Sequence, residues 1–151
     1  MKYKHEVQRQ YFYWLLFFYT LFIFRVCAQL IQKYYALSFL PQFERWYSGA
    51  LPYPWLLLSQ IVIIVLLALV IRPFHKGRAR ASYRTGIFLL IPGAMYFVLM
   101  VFRLVAGLTF AKHHSWLGAT IPAIFHIVLA SFALLLGHFH FKYGHRNNAG
   151  K

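Results

Sequence analysis

Pro52-Tyr53-Pro54-Trp55-Leu56-Leu57-Leu58-Ser59-Gln60-Ile61-Val62-Ile63-Ile64-Val65-Leu66-Leu67-Ala68-Leu69-Val70-Ile71 runs for twenty residues without a charged side chain. As an α-helix rising ~1.5 Å per residue it covers about 30 Å, the thickness of a bilayer's hydrocarbon core. Three further stretches have the same character: Tyr11 to Gln32, Thr85 to Ala111 and Trp116 to Gly137. Of the 151 residues, 61% are hydrophobic and only 12% charged, where a soluble domain is about half apolar and a quarter charged. Lipid is the solvent that suits such a chain. The expected fold is all-α, a single four-helix transmembrane bundle spanning residues 1–151.

The net charge is +14, and Glu6 and Glu44 are the only acids. In a soluble chain this balance would suggest nucleic acid. Here the cations stand between the apolar segments, the pattern of topology determinants, so no nucleic-acid partner is expected. With four crossings, the N-terminus, the central loop and the C-terminus share one side. That side carries Lys2, Lys4, Arg9, Arg72, Lys76, Arg78, Arg80, Arg84, Lys142, Arg146 and Lys151, against Lys33, Arg45 and Lys112 opposite. The positive-inside rule therefore puts both termini in the cytoplasm of a multi-pass protein, as in a bacterial inner membrane. The first apolar run is too long for a signal peptide, and Arg25 would fall beside any cleavage after Ala28. Cys27 alone excludes an intrachain disulfide and reads as a small buried hydrophobe.

The connections differ in kind. Lys112 to Ser115 is a short link, which makes the third and fourth helices antiparallel neighbours. Residues 34–48 are longer and rich in Tyr, Phe and Trp, side chains that favour the headgroup level, so an interfacial element folding back over the bundle mouth is expected. Pro73 to Ser82 reads as a short, solvated, basic loop.

Arg25 and Arg103 lie well inside apolar segments, and a cation at membrane depth is costly enough to mark a site or an internal polar contact. Helical spacing puts Arg25, Gln29 and Gln32 on one face of the first helix, and Tyr96 and Arg103 on one face of the third. Arg25, Gln60, Arg103 and His126 each lie about 12–15 Å below the outer end of their helix. The reading is an electropositive pocket in the outer half of the bundle that holds an anionic or carbonyl-bearing amphiphile, either quinone-like or lipid-like. Arg25 and Arg103 anchor the ligand, and Gln29, Gln60 and Tyr96 support it. Glu44 and Arg45 stand at the outer mouth, with Glu44 the one acid able to dip between the guanidiniums. His126 is the candidate proton relay, since imidazole titrates near neutral pH.

Other readings compete. Each arginine can instead bond to glutamine and carbonyl oxygens and serve only to specify the bundle. The stripe Gly118, Pro122, Ala130, Ala133 and Gly137 on the fourth helix suits close packing, and in an assembly protein it would seat a larger membrane subunit or a second copy. No metal site is expected, because His113 and His114 are separated by the bilayer from His75, His138, His140 and His145. Nor does a Ser-His-Asp set, a phosphate-cradling loop or a cysteine pair appear. Any hard chemistry belongs to a cofactor or to another subunit.

Gly49-Ala50-Leu51-Pro52-Tyr53-Pro54, preceded by Phe43 and followed by an aliphatic helix ending at Arg72, resembles the DoxX-like family of small four-helix membrane proteins. The resemblance covers Arg25 to Arg72. It implies an accessory or quinone-facing subunit of a membrane oxidoreductase system, although Gln60 stands where members of the family often carry an acid.

Overall fold

The computed structural model describes residues 2–47, 49, 51–111, 114 and 116–148. The chain forms α1 (Lys2–Tyr35), α2 (Phe43–Trp46), α3 (Tyr53–His75), α4 (Tyr83–Leu108) and α5 (Thr120–Asn148), with no strand among the described residues. All but α2 are long and apolar enough to cross a membrane. Their outward faces are apolar too: Leu58, Val62, Val65 and Leu66 on α3, and Phe88, Met95, Val98 and Phe102 on α4, are all exposed. An apolar surface this extensive marks a protein that meets lipid. The architecture is that of a multi-pass membrane protein.

The helices lie in the neighbour order α3, α1, α5, α4, with α4 and α5 in the most extensive contact. At one end, Leu15 of α1, Ile71 and Phe74 of α3, and Phe132, Leu136 and Phe139 of α5 form a buried cluster. The Phe74 and Phe139 rings meet edge to face at 4.7 Å between centroids, a favoured aromatic geometry. This closes α3 onto α5 at that end. It is also the end where His5 of α1 lies against Gly77 and where Gly144 of α5 reaches Tyr83, so the start of α1, the last turns of α5 and the central loop sit together.

Without a hydrophobic force between helices in lipid, close backbone packing does much of the association. A Cβ on Gly86 would lie 2.6 Å from the Phe141 Cα, and one on Gly144 would meet the Tyr83 backbone. Only hydrogen fits at those crossings. The small-residue stripe faces the same seam: Ala130 and Gly137 are buried, and a Cβ on Gly137 would lie 3.1 Å from the Leu89 Cβ. Ala133 and Gly137 seat α4 of this chain, whereas Gly118 lies in the turn before α5.

Several boundaries differ from expectation, and α5 runs eleven residues past Gly137, to Asn148. Helix α1 begins nine residues earlier than Tyr11, because Gln8 gives its polar first turns a partner. The Gln8 amide donates to the Ala79 carbonyl at 3.0 Å and accepts from the Ala79 N–H at 3.3 Å, and both residues are buried. The basic loop is thus docked at Ala79, whereas sequence alone read it as solvated. The link between α4 and α5 spans 109–119, much longer than Lys112 to Ser115. Of that short link only His114 is described, and Lys112, His113 and Ser115 lie outside the described residues. Apolar residues on either side leave the helices because the loop has polar partners of its own. Thr109 closes α4 by donating its hydroxyl to the Val105 carbonyl, and Arg103 takes the Trp116 carbonyl.

Candidate functional site

Arg25 and Arg103 end in the same kind of contact. Arg25 Nη2 donates to the carbonyl oxygen of Trp46 at 3.3 Å, and Arg103 donates to that of Trp116 through Nε at 3.2 Å and Nη2 at 2.8 Å. The Arg103 guanidinium also lies over the Trp116 ring, 4.1 Å from its centroid, a favourable cation–π distance. Each buried cation therefore fastens a loop at the end of the bundle away from Phe74 and Phe139 by a charge-assisted hydrogen bond. No carboxylate pairs with either arginine among the described residues. Glu44 and Arg45 are exposed on α2, so Glu44 does not dip between the guanidiniums.

Trp46 is the centre of the arrangement. The short α2 brings it inward until it is only 4% exposed, its indole N–H donates to the Pro41 carbonyl at 2.9 Å, and its ring stacks on Phe125 of α5. Its carbonyl also accepts from Gln29 Nε2 at 3.3 Å, and Gln29 Oε1 accepts from Gln60 Nε2 at 3.2 Å. Gln29 is fully buried, and its amide links α2 to α3 through α1. Two side chains of α1 thus hold one carbonyl, and Gln60 of α3 braces the second of them.

Beneath Trp46 lies a cavity of about 100 Å³, partly open on one side. Arg25, Ser59, Gln60 and His126 supply its polar lining, and Leu56, Ile63, Phe125 and Leu129 its apolar walls. With α3 and α5 closed together at the other end by Phe74 and Phe139, the space between them remains here. Arg25 is 6% exposed, yet its Nε–H has no acceptor in the protein. A buried donor left unpaired costs about 1–3 kcal/mol, and more when it belongs to a charged group.

The predicted residues divide into three sets. Arg25, Gln60 and His126 line the cavity, and Gln29 braces it. Arg103 and Tyr96 stand beyond His126 on the α4 side: the Tyr96 hydroxyl and His126 Nδ1 share a 2.7 Å hydrogen bond, and Arg103 is committed to Trp116. The two guanidiniums do not line a common cavity. Trp46, Ser59 and Phe125 were not anticipated as site residues. The signal for Trp46 was present in principle, since a buried arginine with no acid in reach must find a carbonyl, and a loop rich in Trp and Tyr offers one. Among the described residues no cluster of histidine, cysteine or carboxylate suits a metal ion. Compared with models of known protein families, with curated proteins and with solved structures, the chain matches none of them.

Proposed function

We propose that this is a small membrane-binding protein for an anionic amphiphile, whose single carboxylate or phosphate headgroup is held at Arg25 beneath Trp46 while its tail lies in the bilayer beside α3 and α5. The observation that carries the reading is the unpaired Arg25 Nε–H in a polar-lined cavity between helices. A buried cation is stable only when paired and fully hydrogen-bonded, and no acid of this chain is placed to pair with it. Gln60 supplies its second amide N–H, Ser59 lines the wall with its hydroxyl donated to the Leu56 carbonyl, and His126, tied to Tyr96 through Nδ1, leaves Nε2 for the ligand. Trp46 covers the outer mouth, so access is lateral, from lipid.

Size selects among ligands. A cavity near 150 Å³ is what a benzene ring occupies in a protein interior. At about 100 Å³ the space suits a headgroup with a water or two better than an enclosed quinone ring. The distribution of cations supports termini that face the cytoplasm.

Replacing Ser59 with Trp fills the cavity and leaves Arg25 in place. Anionic amphiphiles that co-purify with the native protein, identified by mass spectrometry of the extracted lipid, then disappear. Retention of the same species by a folded Ser59→Trp protein overturns the reading. Carboxylate and phosphate ligands are separated by which of them the extract contains.

A further inference from the structure

A second amphiphile site lies at the opposite end of the bundle, between α1 and α3, and shares no residue with the Arg25 cavity. We propose that this groove binds one anionic phospholipid from the leaflet on the side of the chain termini, with an acyl chain against Leu16, Tyr19 and Ala68 and its phosphate against Arg72, His75 and Lys76.

Two cavities meet there. One of about 260 Å³ runs along the α1–α3 groove and is walled by Phe12, Leu16, Tyr19, Ala68 and Ile71. Arg72 and Lys76 close its end with two positive charges, and His75 stands beside them. The other, of about 390 Å³, continues to the end of the bundle, where His5, Arg9 and Glu6 line it. Phe12 and His75 line both, with their rings 5.1 Å apart. Along α3 the lining passes from Ala68 to Lys76, about 12 Å of helix, from wholly apolar to basic. That gradient matches a lipid standing parallel to the helices.

The charges agree with one occupant class. Arg9, Arg72 and Lys76 face this region together with His5 and His75, against Glu6 alone. Arg9 uses Nε on the Tyr13 hydroxyl at 3.2 Å, which leaves its terminal nitrogens as donors. Basic pockets between helices at a membrane surface are suited to phosphate-bearing headgroups, each cation adding roughly fivefold in affinity. The floor is rigid, because Gln8 pins the loop at Ala79 and the Ser82 N–H donates to His140 Nδ1 at 3.2 Å. Arg80 and Arg84 belong to the same end but line neither cavity.

The test is a titration with phosphatidylglycerol of delipidated protein in detergent, carried out in the Ser59→Trp background that closes the Arg25 cavity, with the first bound lipid read by native mass spectrometry. Arg72→Gln with Lys76→Gln is expected to weaken the first binding event on the order of thirtyfold. Arg80→Gln with Arg84→Gln removes the same charge from the same end and leaves it within twofold. Ala68→Trp keeps every charge, fills the acyl groove and also abolishes the event. Equal weakening by the two charge pairs, no weakening by either, or undiminished binding to Ala68→Trp overturns the proposal. All four residues changed for charge are exposed, so these variants fold as the native chain does.

Discussion

Arg25 reaches across 3.3 Å to the backbone carbonyl of Trp46, twenty-one residues later in the chain, and this contact joins α1 to the short α2 that caps the bundle. It explains how a charged side chain is tolerated at that depth. The cation is offered a carbonyl and an aromatic face, with the Phe125 ring 6.0 Å away, instead of an acid. It also explains why the pairing is incomplete: one carbonyl occupies one nitrogen, and Nε is left over.

Arg103 has no such surplus. Its Nε and Nη2 share the Trp116 carbonyl, and the residue is 2% exposed. Arg103→Leu is expected to leave that carbonyl unpaired and to lower stability by about 2–4 kcal/mol, measured by denaturant unfolding in detergent. Arg103→Lys keeps charge but loses the fork and falls between. Bound amphiphile, normalised to folded protein, stays within twofold in both variants.

The α4–α5 seam offers a separate test. Gly86→Ala places a methyl group against the Phe141 backbone, which cannot rotate away. Overpacking of this kind costs about 1–3 kcal/mol, so the thermal midpoint should fall, while Ala94→Leu on the exposed side of the same helix, a swap between two good helix formers, changes it little.

Gln8 controls the central loop. Gln8→Leu removes both hydrogen bonds to Ala79 and leaves two buried backbone groups unpaired, at about 1–3 kcal/mol each. Trypsin then cuts at Arg78 and Arg80 at least tenfold faster than in the native chain, a rate readable by gel.

Long apolar runs made the four crossing helices legible from sequence, because length and hydropathy decide them without reference to tertiary contacts. The ends were not legible. Lys2 to Gln10 is helical because Gln8 finds Ala79, seventy-one residues away, while α4 stops at Leu108 where Thr109 takes the Val105 carbonyl, and Trp116 stays outside α5 with its carbonyl on Arg103. The polar layer was half legible. Spacing placed Arg25, Gln60 and His126 at one depth, but not the rotation that sends Arg103 to Trp116. The groove at Arg72 was invisible, since it needs the register of α1 against α3.

Orientation is checked by cysteine labelling in a Cys27→Ala background. Ser38→Cys is expected to react with a membrane-impermeant maleimide in intact cells, and Arg80→Cys only after permeabilisation. The reverse pattern would place the termini outside.

The central claim, an anionic headgroup at Arg25, is tested most directly by photo-crosslinking the native protein with a fatty acid that carries a diazirine near its carboxyl group. The account predicts that label concentrates on peptides holding Leu56 to Ile63 and Pro122 to Leu129, and that it is competed away by unlabelled fatty acid. Label spread evenly over the lipid-facing residues of α3 and α4, Phe88 and Val98 included, with no competition, would contradict it.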